Sequence, residues 1–382
     1  MNSPTSTPTQ PVLIRHLDDW PRRDRECWEQ ATAPHSVLDD FGRAADWAPA
    51  TRRLAIASYG RWLSWLDQMG LLFDQEDPAT RMTKERARAF IAALQVSFSS
   101  TTVSMTLSSL SSTLRVMCPD PSHPYLAKVV VRLSAMAVPA RDRRHSIVPA
   151  SELFALGIRI MDNADSLDAN PLHSARTFRD GLIIALLAAR PFRRANFVAM
   201  ELGRHLTLQN SGHHIRYEGH ETKTGKPLSC PFPVKLESYL DRYRKIHRPY
   251  LMDQFDRFPR KVGSKPAGDR LWVSSAGTAL SETGFFKIIT TVTRKEFGLW
   301  ITPHMFRHCA ATSIALEAPE SVRITSSILG HSGLTTSEKY YNLAHAVEAG
   351  RRHSDTIQSL RNTDGKKHYR RRSIAAGWDA RG

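Results

Sequence analysis

Apolar side chains recur at helical spacing along the first third of the chain. Residues 52–69 carry them three or four positions apart, and the run stops at a glycine, a typical signal for the end of a helix. Thr83 is expected to cap a second helix over 84–94, because a threonine hydroxyl suits the N-cap position. Further helices are predicted over 101–117 and 125–136. The pattern indicates a first domain made of amphipathic helices.

The rest of the chain mixes helical with strand-like spacing. Helices are predicted over 151–161 and 177–189, and the second of them contains GLIIALLAA, a run typical of a buried helix. Leu206, Ile215 and Tyr217 lie in short alternating segments, and the Thr-Gly turn signal in HETKTGKPLSCPFP predicts a hairpin. The remaining predicted elements are a helix over 234–247, a short strand LWVSS over 271–275, and helices beginning at Ser281, Pro303, Pro319 and Thr336. The predicted fold class is therefore mainly α with a small β-sheet (α+β).

A break in the pattern divides the chain. Its 382 residues exceed one ordinary core, so two domains are expected. The segment VPARDRRHSIVPAS interrupts the helices with two prolines and a basic cluster. The predicted organisation is a disordered leader over 1–20, an N-terminal helical domain over 21–138, a basic linker over 139–149, a second domain over 150–362 and a basic tail over 363–382.

The charge of the chain points to an anionic partner. Lys and Arg total 53 against 37 acidic residues, a formal net charge of +16, which favours nucleic acid first and a membrane surface second. No apolar run approaches the roughly 20 residues that span a bilayer, and the N-terminus lacks the pattern of a secretory signal. The four cysteines form no C-x-x-C pair, which argues against structural zinc and against a disulfide framework. A reducing cytoplasm is the expected compartment.

Two groups of residues in the first part of the chain are candidates for contacts with a nucleic-acid backbone. Arg141, Arg143 and Arg144 cluster in the linker, where they suit a path along a duplex; a merely solvated linker is the alternative. Thr102 lies among short hydroxyl side chains on the polar face of the 101–117 helix. Such hydroxyls suit phosphate contacts, and a solvated helix face is again the alternative.

Cationic and proton-handling side chains recur in the second domain. The stretch ITPHMFRHCAATSIALE places His304 and Arg307 three residues apart at the start of a predicted helix. Arg193, Lys223 and His331 are the other candidates. Two arginine forks that converge on one phosphate fix its orientation and neutralise the charge that builds in a pentacovalent transition state. The residue types therefore suit chemistry at a phosphodiester.

Each candidate also has an ordinary structural interpretation. Arg193 could pair with a carboxylate at a helix end, and the neighbouring Arg190 and Arg194 compete with it as the site arginine. Lys223 could be a solvated turn lysine, and His304 could cap a helix. The residues taken singly do not decide between these interpretations.

The order of these residues along the chain favours the functional interpretation more strongly than any one residue does. Arg193 is followed by Lys223, by HMFR with His304 and Arg307, by LGH ending in His331, and by Tyr340 nine residues later. This order, and PHMFRHCAAT in particular, resembles the tyrosine recombinase (phage integrase) family. The resemblance implies a two-domain C-shaped clamp, with an N-terminal core-binding domain and a catalytic domain. It also implies double-stranded DNA as substrate and a homo-oligomer on DNA, a tetramer, with a partner recombinase in some systems.

The resemblance assigns a role to each residue. Tyr340 would attack the scissile phosphate to give a 3′-phosphotyrosyl link, and Lys223 would protonate the departing 5′-oxygen. His304 would assist proton transfer at the nucleophile, and His331 would hydrogen-bond a non-bridging oxygen. The arginines would stand where Mg²⁺ stands in two-metal nucleases, so no metal and no cofactor are expected. The expected setting is DNA integration, excision or resolution of a mobile element, in the bacterial cytoplasm at the nucleoid.

Several alternatives stay open from the sequence. Tyr341 is the rival nucleophile, although the spacing from His331 favours Tyr340, and adjacent residues on a helix point about 100° apart. Asn196 stands where the family often has a glutamate three residues after Arg193. The apolar stripe over 343–360 could dock in its own subunit or on a neighbour. A type IB topoisomerase that only relaxes DNA and a DNA-binding relative without catalysis are the alternative functions.

Overall fold

A computed structural model of the chain describes residues 13–34, 42–119, 123–138, 147–164, 170–257 and 263–317, together with 342, 345–346, 349–350 and 352–357. The chain divides into two compact units, Met1–Asp142 and Arg143–Gly382, and the division lies inside the predicted linker. Helices dominate the described parts of both units, and a three-stranded antiparallel sheet lies in the second. The predicted fold class, mainly α with a small β-sheet, is confirmed.

The helices predicted within the described residues are present, and the helices over 22–32, 78–81, 194–199 and 248–253 were not predicted. In the first unit the described helices are α1 (Arg22–Thr32), α2 (Pro49–Gln68), α3 (Pro78–Arg81), α4 (Lys84–Ser97), α5 (Ser100–Met117) and α6 (Pro124–Met136). In the second unit they are α7 (Ala150–Asp162), α8 (Pro171–Ala189), α9 (Arg194–Ala199), α10 (Glu237–Arg242), α11 (Arg248–Asp253), α12 (Glu282–Phe297) and α13 (Pro303–Glu317). The strands are β1 (Leu206–Gln209), β2 (Gly212–Tyr217) and β3 (Leu228–Pro231). Thr83 accepts a hydrogen bond from the N–H of Arg86, so it caps α4 as predicted.

The segment that precedes α1 is ordered against α2. Trp20 is 2% exposed, and its ring centroid lies 4.8 Å from that of Tyr59. Arg15 donates its backbone N–H to a carbonyl of α2 at 3.2 Å. The predicted disordered leader over 1–20 is therefore wrong for residues 13–20, because burial of the tryptophan outweighs the entropy lost in fixing a short segment.

A buried ion pair lies at the centre of the first unit. Asp24 accepts hydrogen bonds from Arg81 at 2.6 and 2.7 Å and from the Tyr59 hydroxyl at 2.7 Å. The second guanidinium Nη of Arg81 donates to the carbonyls of Phe73 and Glu76 at 2.9 and 2.7 Å. Both charged side chains are fully buried. The pair joins α1 to α3, and the Tyr59 hydroxyl connects α2 to them.

Helix α8 forms the buried centre of the second unit. Its residues 182–187 are all fully buried, as the GLIIALLAA run predicts. It approaches α7 closely at Gly157 and Gly181, since a Cβ at Gly157 would lie 2.5 Å from the backbone nitrogen of Ala185. Among the described residues, no helix has the length and apolar character that crossing a bilayer requires.

The sheet contains three strands in chain order. The strand predicted over 271–275 is absent from the described part of this unit. Leu206 pairs with Ile215, and Ile215 pairs with Cys230. The segment 271–275, predicted as a strand, forms only an isolated bridge to Ala279. Its Trp272 is fully buried and stacks on Phe197 with centroids 5.3 Å apart. The prediction was wrong because these apolar residues line the core as an irregular segment rather than pairing in a sheet.

The chain between α10 and α11 winds as a π-helix over Tyr243–His247. His247 is 4% exposed, and its ring stacks on Phe178 with centroids 4.1 Å apart. Its Nε2 is buried and has no hydrogen-bond partner among the residues described. Burial, and then the charge of Arg242, lowers the pKa of His247 from 6.5 to about 4. The fold therefore favours the neutral imidazole.

This imidazole is expected to make the second unit sensitive to acid. A histidine whose pKa is lower in the folded chain contributes stability above pH 6.5, and that stability is lost as the pH falls from 6.5 towards 4. We expect the urea midpoint of unfolding to fall more steeply between pH 7 and pH 4.5 in the unaltered protein than in His247→Phe. Phenylalanine keeps the ring stack and cannot take up a proton. Equal slopes for the two proteins would contradict this role of His247.

Candidate active site

Helix α13 presents the histidine and the arginine of the HMFR stretch. Pro303 occupies its first position, where the missing N–H costs no hydrogen bond. Met305, Phe306 and Cys309 face the core, so the helix is fixed by apolar burial on one side. His304 is exposed, and its ring meets that of His308 edge to face at 4.9 Å. The predicted helix start thus carries an accessible imidazole.

Arg307 binds the backbone of the segment that leads into α9. It is only 7% exposed, and its Nη1 donates to the carbonyl of Pro191 at 2.7 Å. Arg193 follows two residues later as the N-cap residue of α9, with a half-buried side chain. Two residues of extended chain span about 7 Å at most. The structure therefore brings the backbone of Arg193 next to the guanidinium of Arg307, although 114 residues separate them in sequence.

The two neighbouring arginines have structural partners. Arg190 donates from Nε and Nη2 to the carbonyl of Pro231 at 3.2 and 3.1 Å, which holds the end of β3. Arg194 pairs with Glu282 at the start of α12, with Nε and Oε2 2.7 Å apart. These contacts explain Arg190 and Arg194 as structural residues.

Lys223 lies in the connection between β2 and β3. The connection begins with a 3₁₀ turn over Gly219–Glu221, and the Thr222 hydroxyl then donates to the carbonyls of Gly219 and Lys226 at 3.1 and 2.7 Å. The Lys223 side chain is exposed. This exposed lysine therefore lies on a loop that is held by its own hydrogen bonds.

Asn196 joins this loop to α9. Its side-chain NH₂ group donates to the backbone carbonyl of Glu221 at 2.9 Å. Its backbone carbonyl accepts a hydrogen bond from the Tyr217 hydroxyl at 2.8 Å. A glutamate, the residue often found here in proteins that this sequence resembles, is ionised near neutral pH and has no proton to donate to a carbonyl. The amide therefore makes a contact that the carboxylate would not make. Through it, α9 and the loop of Lys223 form one connected frame.

The described part of the site is cationic. The Asn196–Glu221 bond connects α9, which begins after Arg193, to the loop of Lys223. The Arg307–Pro191 bond connects α13, which carries His304, to the segment before α9. In the ranges that the structure describes, no group of three or more His, Cys, Asp or Glu side chains is arranged to hold a metal ion. Guanidinium forks and an ammonium group suit the oxygens of a phosphodiester, both in the ground state and as charge builds on them.

Some predicted residues lie outside the described residues: His331, Tyr340, Tyr341, Arg141, Arg143 and Arg144. Thr102 is described, in the first turn of α5. Its hydroxyl lies 3.0 Å from that of the N-cap residue Ser99, which also accepts from the Thr102 N–H. Thr102 thus takes part in capping its helix, and its contact with DNA stays a prediction.

A polar cluster beside Lys223 was missed in the sequence. His205 and Arg204 both bind the Glu221 carboxylate, at 2.9 and 2.5 Å, around a cavity of about 220 Å³. The bond from His205, and then the backbone bond at Glu218, lowers the pKa of Glu221 to about 2. Sixteen residues separate His205 from Glu221, and no local spacing connects them. The one local signal is the Glu-x-x-Glu spacing of Glu218 and Glu221, which is typical of a capping box and here caps the 3₁₀ turn over Gly219–Glu221.

Comparison with known proteins gives a consistent result. The model of the phage integrase family matches residues 158–346. The tyrosine recombinase XerC of Roseiflexus sp. (strain RS-1) is 30% identical over 192 residues, which cover 48% of this chain and 55% of that protein. The tyrosine recombinase XerD of Oceanobacillus iheyensis is 25% identical over 205 residues, covering 53% of this chain and 63% of that protein. The chain thus spans less than two thirds of either relative.

A solved structure is also similar. It is the crystal structure of the XerH site-specific recombinase bound to its difH substrate in a pre-cleavage complex. The TM-score is 0.48 and the sequences are 14% identical. The match covers 86% of this chain and 96% of that one.

Proposed function

Because the chain belongs to the tyrosine recombinase (phage integrase) family, we propose that it is a site-specific DNA recombinase that acts through a 3′-phosphotyrosyl intermediate. The observation that supports the proposal is the hydrogen bond from Arg307 to the backbone of Pro191, two residues before Arg193 in the chain. In the proposed complex, the guanidinium groups of Arg193 and Arg307 bind the same phosphodiester. Integration, excision or resolution of a mobile element is the proposed biological role.

In the proposed reaction, the phenol oxygen of Tyr340 forms a bond to the scissile phosphorus while the bond from phosphorus to the 5′-oxygen breaks. A phenol with a pKa of about 10 is a weak nucleophile near neutral pH, so its proton must leave as the bond forms. His304, exposed at the start of α13, assists that transfer. Lys223 gives a proton to the departing 5′-oxygen. Arg193 and Arg307, with His331, stabilise the charge on the non-bridging oxygens.

The covalent intermediate explains why the proposed reaction needs no added energy. The phosphotyrosyl bond keeps the phosphodiester in a form that a free 5′-hydroxyl attacks in the reverse direction. Resealing to a 5′-end from another duplex gives recombination, and resealing to the original end gives relaxation. We propose that no nucleotide cofactor and no metal take part.

Partners and location follow from the same proposal. The partner is double-stranded DNA, which the net charge of +16 suits. Arg141, Arg143, Arg144 and Thr102 are proposed as contacts with its backbone. Exchange between two duplexes requires several protomers, and we propose a tetramer on DNA, with or without a partner recombinase. The proposed location is the bacterial cytoplasm, at the nucleoid.

Trapping of the intermediate tests this function. A suicide duplex with a nick near the cleaved phosphate releases the 5′-end and leaves the protein attached. We expect the unaltered protein to give an adduct that survives denaturant, and Tyr340→Phe to give none. Tyr341→Phe is the matched control and should retain the adduct. Loss of the adduct in Tyr341→Phe alone would move the nucleophile to Tyr341, and no adduct with any site would refute the function.

A further inference from the structure

Glu221 is held by four hydrogen bonds that fix the start of the Lys223 loop. Its Oε1 accepts from His205 Nε2 at 2.9 Å and from Arg204 at 2.5 Å. Its Oε2 accepts from the backbone N–H of Glu218 at 2.9 Å. Its carbonyl accepts from the Asn196 amide at 2.9 Å. Both the side chain and the backbone of Glu221 are therefore tied, two residues before Lys223.

His205 is fixed in one tautomer by its surroundings. Its Nδ1 accepts from the backbone N–H of Glu201 at 3.0 Å, so the ring proton stands on Nε2 and points to Glu221. The ring is 4% exposed and lies over Tyr217, with centroids 4.6 Å apart and an interplanar angle of 25°. A donor that is buried, stacked and bonded on both ring nitrogens has little freedom to move.

The same cluster is bonded to the helix that follows Arg193. The Tyr217 hydroxyl donates to the carbonyl of Asn196 in α9, at 2.8 Å. Tyr217 is itself fully buried under the His205 ring. The path from His205 through Tyr217 and Asn196 therefore ends one helical turn from Arg193. The path from His205 through Glu221 ends two residues from Lys223.

We propose that His205 and Glu221 are positioning residues for Lys223, which hold the loop of the general acid in a fixed place relative to Arg193. The inference rests on the proposed function, in which Lys223 protonates the departing 5′-oxygen. The side chain of Lys223 is exposed and long, so the position of its ammonium group depends on the loop beneath it. An error of about 1 Å in the placement of a catalytic group costs up to about 100-fold in rate.

Replacing the departing 5′-oxygen by sulfur tests whether the two residues act through the general acid Lys223. The probe is a suicide duplex whose cleavage site has first been mapped from covalent adducts on genomic DNA. A second duplex is identical except that sulfur replaces the 5′-bridging oxygen of the cleaved phosphate. In both, the Tyr340 oxygen bonds to phosphorus; in the second, the P–S bond breaks. A thiol with a pKa of about 8.5 leaves as thiolate without a proton, so the reaction no longer requires the general acid.

Two variants disturb the cluster without altering Lys223. His205→Phe keeps the stack on Tyr217 and removes the donor to Glu221. Glu221→Gln replaces one of its two acceptor oxygens by an NH₂ group, so at least one bond is lost in either orientation of the amide. We expect both variants to cleave the oxygen duplex at least about tenfold more slowly than the unaltered protein. On the sulfur duplex they should cleave within about threefold of it, as Lys223→Ala should.

A similar pair on the same sheet provides the control. His213 is the second residue of β2, and its Nδ1 lies 2.6 Å from the Glu237 carboxylate. The Lys223 loop begins at the other end of that strand. Glu237→Gln should cleave both duplexes at the unaltered rates. Equal losses on both duplexes in the His205 and Glu221 variants, or no loss on either, would overturn the inference. If Lys223→Ala itself is not rescued by sulfur, the general-acid role in the proposed function fails instead.

Discussion

Replacing Arg307 by lysine is expected to slow formation of the covalent DNA adduct by about 10²- to 10³-fold. Lysine keeps the positive charge and loses the planar fork. The guanidinium binds the Pro191 carbonyl with one Nη. A planar guanidinium matches two phosphate oxygens at once, whereas an ammonium group serves as a point charge. We expect the loss in the rate of single-turnover cleavage on a suicide duplex, with a smaller change in DNA affinity. Rapid-quench kinetics at saturating protein measure it.

Arg194→Lys is the matched control for this substitution. Arg194 lies beside the proposed site arginine, and its exposed side chain pairs with Glu282. Exposed ion pairs contribute less than about 1 kcal/mol, so the adduct should form at nearly the unaltered rate. If Arg307→Lys cleaved as fast as Arg194→Lys, Arg307 would be a structural residue of α13 and not part of the site.

Removing the buried arginine of the first unit is expected to cause the largest loss of stability. In Arg81→Ala the Asp24 carboxylate would remain fully buried without its cationic partner. Breaking such a pair from one side costs about 3–5 kcal/mol in the free energy of unfolding. Two backbone carbonyls, of Phe73 and Glu76, would also lose their donor. Denaturant unfolding followed by the fluorescence of the tryptophans, which include Trp62 and Trp65 in this core, measures the loss.

The exposed pair of Arg22 and Glu26 in α1 provides the comparison. Its two side chains are 2.7 Å apart, as close as those of the buried pair. Because both are accessible to solvent, Arg22→Ala is expected to leave the midpoint of unfolding nearly unchanged. A loss in Arg81→Ala no greater than that in Arg22→Ala would show that burial of the pair is not what stabilises this unit.

The helices of this fold are predictable from the sequence because their signals are local. Thr83 caps α4, Pro303 begins α13, and the apolar run in α8 is buried as expected. The segment 271–275 was predicted wrongly as a strand, since apolar alternation reports burial and cannot by itself distinguish a paired strand from an irregular core segment. Trp20 was placed in a leader because its partner, Tyr59, lies 39 positions away.

The candidate site likewise has a part that the sequence predicts and a part that it does not. Its cationic residues carry a recognisable order, so the sequence suggests their identity. The sequence does not indicate that Arg190 binds the end of β3 or that Arg194 pairs with α12, because those partners are distant in sequence. Nor does it indicate the bond of Asn196 to Glu221, which gives the amide a reason to replace a carboxylate. Such contacts join residues that are distant in sequence, so no local pattern predicts them.

The proposed recombinase differs from a topoisomerase in what happens after cleavage. A plasmid with two copies of the mapped site distinguishes them, because recombination exchanges or deletes the markers between the sites. Relaxation of supercoils without marker exchange would favour the topoisomerase. Binding of the site without an adduct would favour a relative that has lost catalysis.

The chemical identity of the DNA–protein bond is the most direct measurement of the central claim. Adduct from the unaltered protein is digested with nuclease and protease, and the nucleotide-bearing peptide is sequenced by tandem mass spectrometry. A nucleotide joined through its 3′-phosphate to the Tyr340 oxygen is the predicted result. A nucleotide on any other side chain, or one joined through a 5′-phosphate, would contradict the account.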